Sequence, residues 1–97
     1  MIVSLRNKAT EAIFDGRNTT AARRALPQEL HSRAAKKMEV LNASVSRESV
    51  GKIPASHLEK LKEDRKGQYS IRINDQYRIC FRWTNQGPAD VEVVDYH

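Results

Sequence analysis

Two hydrophobic periods divide this chain. Over residues 27–43 apolar side chains recur at steps of three and four: Leu30, Ala34, Met38 and Leu41, with Ala35 beside them. Arg33, Lys36, Lys37 and Glu39 fill the intervening positions. The spacing predicts an amphipathic helix of about 17 residues, roughly 25 Å long at the usual rise per residue. From residue 69 the step falls to two. "YSIRIN" sets Tyr69, Ile71 and Ile73 against Ser70, Arg72 and Asn74, and "YRICFRW" sets Tyr77, Ile79, Phe81 and Trp83 against Arg78, Cys80 and Arg82. Alternation of this kind predicts half-buried strands, and Asn74-Asp75-Gln76 joins them as a tight hairpin turn.

Weaker signals fill in the rest. "MIVSL" reads as a short opening strand. "NKATEAIFDG" is a helix stopped by Gly16. "RNTTAARRAL" is a basic connection with a helical turn, and Pro27 suits a helix start because its missing N–H is not needed there. Residues 44–56 form a loop with a short helical turn. Residues 58–62 are a short strand, "DRKG" a turn, "TNQGP" a second turn and "DVEVVDY" a last strand. The expected fold class is α+β, with N-terminal helices packed on a small twisted antiparallel sheet. The aromatic and β-branched residues are the large apolar set, so they must face the helices. Ser70, Arg72, Arg78 and Arg82 then point to an uncovered face, which is either a platform for a polyanion or simply the solvated side of the sheet.

Composition narrows the class. The 97 residues fit one domain. Mean hydropathy is −0.68, and no apolar run approaches the roughly 20 residues that span a bilayer. "MIVSLRNKAT" lacks the pattern of a signal peptide, so a cytoplasmic protein with no membrane contact is expected. Cys80 is the one cysteine, which excludes an internal disulfide and a cysteine metal cluster and suits a small core or half-buried residue. His31, His57 and His97 are too far apart for metal-ligand spacing, and no cofactor is expected. His31 is placed on the exposed face of the long helix.

The formal charge is +5, which favours polyanionic partners. Residues 1–57 carry all of that excess; residues 58–97 hold seven basic and seven acidic side chains. Within that neutral part the basic residues come first and Asp90, Glu92 and Asp95 last. Arg23, Arg24, Arg33, Lys36 and Lys37 make a second basic cluster, suited to sequence-blind phosphate contact.

"LEKLKEDRKGQYSIRINDQYRICFRW", followed by "VVDYH", resembles the HigB branch of the RelE/ParE toxins of bacterial type II toxin–antitoxin systems. The resemblance extends over the chain and is strongest over residues 58–83 and at Asp95-Tyr96-His97. It implies a RelE-like toxin domain over residues 1–97 and a ribosome-dependent endoribonuclease that cuts mRNA without a metal. It also implies a helix-turn-helix antitoxin of the HigA type, through which alone the toxin meets operator DNA.

Such cleavage needs a base on the attacking 2′-hydroxyl, cations on the phosphate and an acid for the leaving oxygen. Carried over by position, Arg78 is the central arginine, suited to the phosphorane-like transition state because its planar fork grips two oxygens. Lys62 and Arg65 flank the scissile phosphate. His97 is a candidate general acid or base. Asp95 orients it or acts as base, and Tyr96 stacks on a base or positions the RNA. Lys60, Arg72 and Arg82 are RNA or ribosome contacts. Glu59 stands where some family members carry a histidine, and His57 lies two residues earlier, so either serves there. Two other readings remain open: a toxin acting on DNA gyrase, as in the ParE branch, and a weak toxin kept for antitoxin binding and operon autoregulation.

Overall fold

The computed structural model describes residues 1–52 and 57–95. Side-chain caps define its first helices. Asn7 Oδ1 accepts the N–H of Thr10 at 2.9 Å, which satisfies one of the unpaired amides at the start of α1, Lys8–Asp15. Gly16 ends that helix at φ 77, a left-handed turn that suits glycine. Thr19 caps α2, Thr20–Ala25, in the same way.

The long helix starts later than its pattern predicts. Pro27 leads into a 3-10 turn at Gln28–Leu30, and α3 runs His31–Ala43, 13 residues instead of about 17. Ala34, Met38 and Leu41 form its buried stripe, as the spacing predicts. His31 is not on an exposed face. It is half-buried, and its Nε2 lies 2.8 Å from the carbonyl oxygen of Leu26 and 3.1 Å from that of Ala22. Both partners are acceptors, so Nε2 carries the proton. The physical reason is the end of α2: Ala22 O already accepts the N–H of Leu26, but the carbonyl of Leu26 is past the helical ladder and Pro27 has no N–H to offer. A short helix α4, Arg47–Gly51, follows.

Four antiparallel strands complete the α+β fold in the order β1-β2-β3-β4: Glu59–Lys60, Gln68–Arg72, Tyr77–Thr84 and Gly87–Asp95. Tyr69, Ile71, Ile79, Phe81, Val91 and Val93 pack with the helices around Ile13, Leu26, Met38 and Leu41. Phe81 stacks on Tyr69 at 6.2 Å and meets Trp83 edge-on at 6.5 Å.

Two strand expectations are corrected. Residues 3–6 do not form a full strand; they run parallel to β4, bridged at Leu5 and Val91. Three backbone bonds hold them: Val3 N–H to Pro88 O, Val91 N–H to Ser4 O and Arg6 N–H to Val91 O. That ladder is cut short by a bulge. Cys80 pairs with Glu92 but Arg82 with Ala89, so β4 carries an extra residue, and Asp90 takes it up at φ 52.

The second correction concerns the face away from the helices. Ser70, expected there in the open, is fully buried, as is Cys80 beside it. Leu61 is also buried, and like Cys80 it stands outside the main core. The chain between β1 and β2 folds back through a 3-10 turn at Glu63–Arg65, and Arg65 reaches Glu92 on β4 at 3.5 Å. Arg72, Arg78 and Arg82 keep their expected face, but only Arg82 among them is exposed.

Candidate active site

Strand register sets the site. Glu59, Ser70, Cys80 and Glu92 form one row across the sheet, and Arg72, Arg78 and Val94 form the next. Arg78 therefore lies diagonally across from Ser70. Its Nε–H donates to Ser70 Oγ at 2.6 Å, and an Nη2 hydrogen goes to the carbonyl oxygen of His57 at 2.6 Å. Glu59 Oε2 stands 4.0 Å from Nη1. The Arg78 side chain is 13% exposed, with the Glu59 side chain 54% exposed beside it. The arginine is thus pinned on two sides by fixed acceptors and meets solvent along a narrow edge next to a carboxylate.

His57 and Glu59 do not share a strand face. His57 has φ 48 and precedes β1, so the two-residue alternation does not extend to it. Its backbone carbonyl holds Arg78, and the residue also lines a different place, an open cleft of about 610 Å³ shared with Arg33, Lys37, Arg72 and Asp75. Arg72 and Asp75 form an ion pair at its rim. Arg33 Nη1 donates to the carbonyl oxygen of Ile73 at 3.3 Å. The Lys37 ammonium is held below the ordinary lysine range by burial first, then by the charges of Arg33 and Arg72.

The other expected residues are spread more widely. Lys60 pairs with Tyr69, on the side of the sheet opposite Glu59. With Lys62 it lines a separate depression of about 330 Å³. Arg65 binds Gln68 Oε1 at 3.1 Å as well as Glu92, and Glu92 also meets Arg6 at 3.7 Å. Arg82 pairs with Gln68 and Ala89, one row beyond Cys80. Asp95 pairs with Tyr77, which puts it on the opposite face from Arg78, and it accepts from Gln76 Nε2 at 3.2 Å. Tyr96 and His97 lie outside the described residues. Cys80 is no nucleophile here. Burial pushes its thiol up, Glu92 adds to the rise, and Arg65 and Arg78 only partly oppose it.

Three residues escaped the pattern of the sequence. Ser70 looks like a small solvent-facing residue until the hairpin register sets it diagonally across from Arg78. Arg33 and Lys37 read as part of a remote helical cluster, yet they come together with Arg72 beside the sheet.

Helices on one side of a four-stranded antiparallel sheet, with a pinned arginine on the other, define a small α+β protein with a cationic sheet face. Residues 4–97 match the family described as RelE-like toxin of type II toxin–antitoxin system HigB. Toxin HigB-1 of Vibrio cholerae serotype O1 is 32% identical over 74 residues, covering 76% of this chain and 77% of that one. An uncharacterised protein of Haemophilus influenzae is 35% identical over 60 residues, covering 62% of this chain and 59% of its own length. The chain belongs to the HigB-like toxins of the RelE superfamily. A toxin of a type II system has an antitoxin as its partner. No helix among the described residues is long and apolar enough to cross a membrane.

Proposed function

We propose that this toxin is an endoribonuclease that cuts mRNA on the ribosome and so arrests translation. In this reading it acts in the cytoplasm as one domain without a metal, and a helix-turn-helix antitoxin neutralises it. The observation that carries the reading is Arg78, held by Ser70 Oγ and His57 O with the Glu59 carboxylate 4.0 Å away. Arrested cation and adjacent carboxylate are what attack by a 2′-hydroxyl on the neighbouring phosphate requires.

Glu59 takes the proton of the 2′-hydroxyl, in the role that a histidine serves elsewhere in the family. The 2′-oxygen bonds to phosphorus, and Arg78 stabilises the charge gathering on the non-bridging oxygens. Pre-set donors do this without reorganising during the reaction. The P–O5′ bond breaks, and His97 supplies a proton to the leaving oxygen. The products are a 2′,3′-cyclic phosphate and a free 5′-hydroxyl. With Asp95 on the other face, its role is to orient His97, while Tyr96 positions the RNA. Lys62 and Arg65 steer the backbone, and Lys60, Arg72 and Arg82 contact RNA or the ribosome.

The test is induction without antitoxin in growing cells, with primer-extension mapping of transcripts. Growth arrest with new mRNA 5′ ends is expected, and Arg78→Ala or Glu59→Gln abolishes both. General-base contributions of about 10²–10⁴ set the scale for Glu59→Gln. Arrest with DNA damage and no new 5′ ends would replace this reading with a gyrase poison.

A further inference from the structure

We propose that the cleft between α3 and the β2–β3 turn is a phosphate subsite, in which Arg33, Lys37 and Arg72 hold a backbone phosphate of the RNA strand next to the one at Arg78. The inference rests on the nuclease reading and extends it to how the strand is gripped.

Charge imbalance is the first argument. Three cations line the cleft, and the one carboxylate among the described lining residues, Asp75, is paired with Arg72. Burial and both arginines oppose the charge on Lys37. Folding gathers these like charges against their repulsion, and a bound anion relieves it. Continuity with the active site is the second. Arg72 pairs directly with Arg78 across the β2–β3 ladder, so their Cα atoms are about 5 Å apart. His57 joins the two places, with its carbonyl on Arg78 and the residue itself lining the cleft. Shape is the third. The cleft is open, about 610 Å³, and suits a chain passing across it. The bond from Arg33 to Ile73 O fixes one guanidinium before any ligand arrives, which lowers the cost of binding.

The experiment measures anisotropy of a labelled 2′-O-methyl RNA decamer, which has no attacking hydroxyl, across a salt series with the full chain. Lys37→Gln and Arg33→Gln weaken binding about tenfold each, and the slope of log affinity against log salt falls by about 0.7 for each lost phosphate contact. Lys8→Gln, at an exposed lysine of α1 that does not line the cleft, leaves both nearly unchanged, and Lys37→Arg restores binding. Melting curves of each variant confirm the fold. Equal losses in the Lys8 and Lys37 variants, no loss in either cleft variant, or no binding by the parent at low salt would overturn the subsite. So would unchanged RNA affinity with weakened antitoxin binding, which would assign the cleft to an acidic segment of that partner. Cleavage of mRNA on programmed ribosomes separates the two proposals. RNA binding lost in the cleft variants, with no cleavage by the parent, sinks the nuclease and keeps the subsite. Cleavage by the parent, with KM unchanged in both cleft variants, does the reverse.

Discussion

The Nε–H of Arg78 donates to Ser70 Oγ across a diagonal of the β2–β3 ladder, at 2.6 Å. Ser70 is fully buried, so this hydroxyl has a fixed place and the arginine inherits its aim. Hydrogen bonds to charged groups contribute about 1.5–3 kcal/mol, and losing that much alignment costs about 10–100-fold in rate. Ser70→Ala is expected to slow mRNA cleavage by at least tenfold, and Arg78→Lys by more, because an ammonium has no planar fork. Single-turnover cleavage on programmed ribosomes checks both. Equal rates for Ser70→Ala and the parent would dissociate the serine from the arginine's work.

Lys37 carries a cost in the free protein. Its folded value is depressed, so the charged form is penalised in full below that folded value, and the penalty fades as pH rises from it toward the ordinary 10.5. Lys37→Met is expected to melt higher than the parent at pH 7, with the gap narrowing toward pH 10.5. Thermal melts followed by circular dichroism at several pH values read this directly. A lower melting temperature at pH 7 would mean that the lysine stabilises the fold.

Cys80 is protected twice over, by full burial and by a raised thiol value. A raised folded value favours the protonated form. The stability it brings is present below the unfolded value, including at neutral pH, and is lost as pH rises through the folded one. Iodoacetamide at pH 8 is expected to leave native Cys80 unmodified over hours and to label it within minutes in urea. Mass spectrometry counts the adduct. Rapid native labelling would show that the cover formed by Leu61 and Arg65 opens readily.

His31 closes the end of α2 through the carbonyls of Leu26 and Ala22. Removing the ring takes this donor from Leu26 O, while Ala22 O keeps the N–H of Leu26. His31→Ala is expected to cost about 1–2 kcal/mol, a fall in melting temperature of about 4–15 °C for a domain of this size. A shift under about 1 °C would mean that water replaces the ring at no loss.

Residues 69–83 were the most legible part of the chain, and for a simple reason. Period-two alternation depends only on the strand's pleat, and Tyr69, Ile71, Phe81 and Trp83 bury on the side it predicts. The buried stripe of α3 was legible on the same ground. Its start was not, because the end of α2 sets where His31 is needed, and that is a contact between two elements. Ser70 and Cys80 have the same alternation as Arg82, yet a returning loop covers the first two and leaves the third open. Alternation names a face but says nothing of what folds over it. Arg78 was singled out through resemblance, whereas the groups that hold it were not legible. One is a backbone carbonyl at His57, which any residue would supply, and the other lies two positions off in a register the sequence does not print. The role of Asp95 came through resemblance, which carries no face; two positions past Val93, it falls on the side of Tyr77, away from Arg78.

The parallel run of residues 3–6 along β4 has a consequence in time. Ile2 binds Asn42, Val3 binds Pro88, Arg6 binds Val91, and Thr10 Oγ1 accepts from Val93 N–H. Most of these partners are separated by more than 80 positions, so their loops close late and slowly. During synthesis the first helices emerge well before the strand that seats them. The core stays open until residues 87–95 have been made, so the helices wait for the last strand before the fold can close.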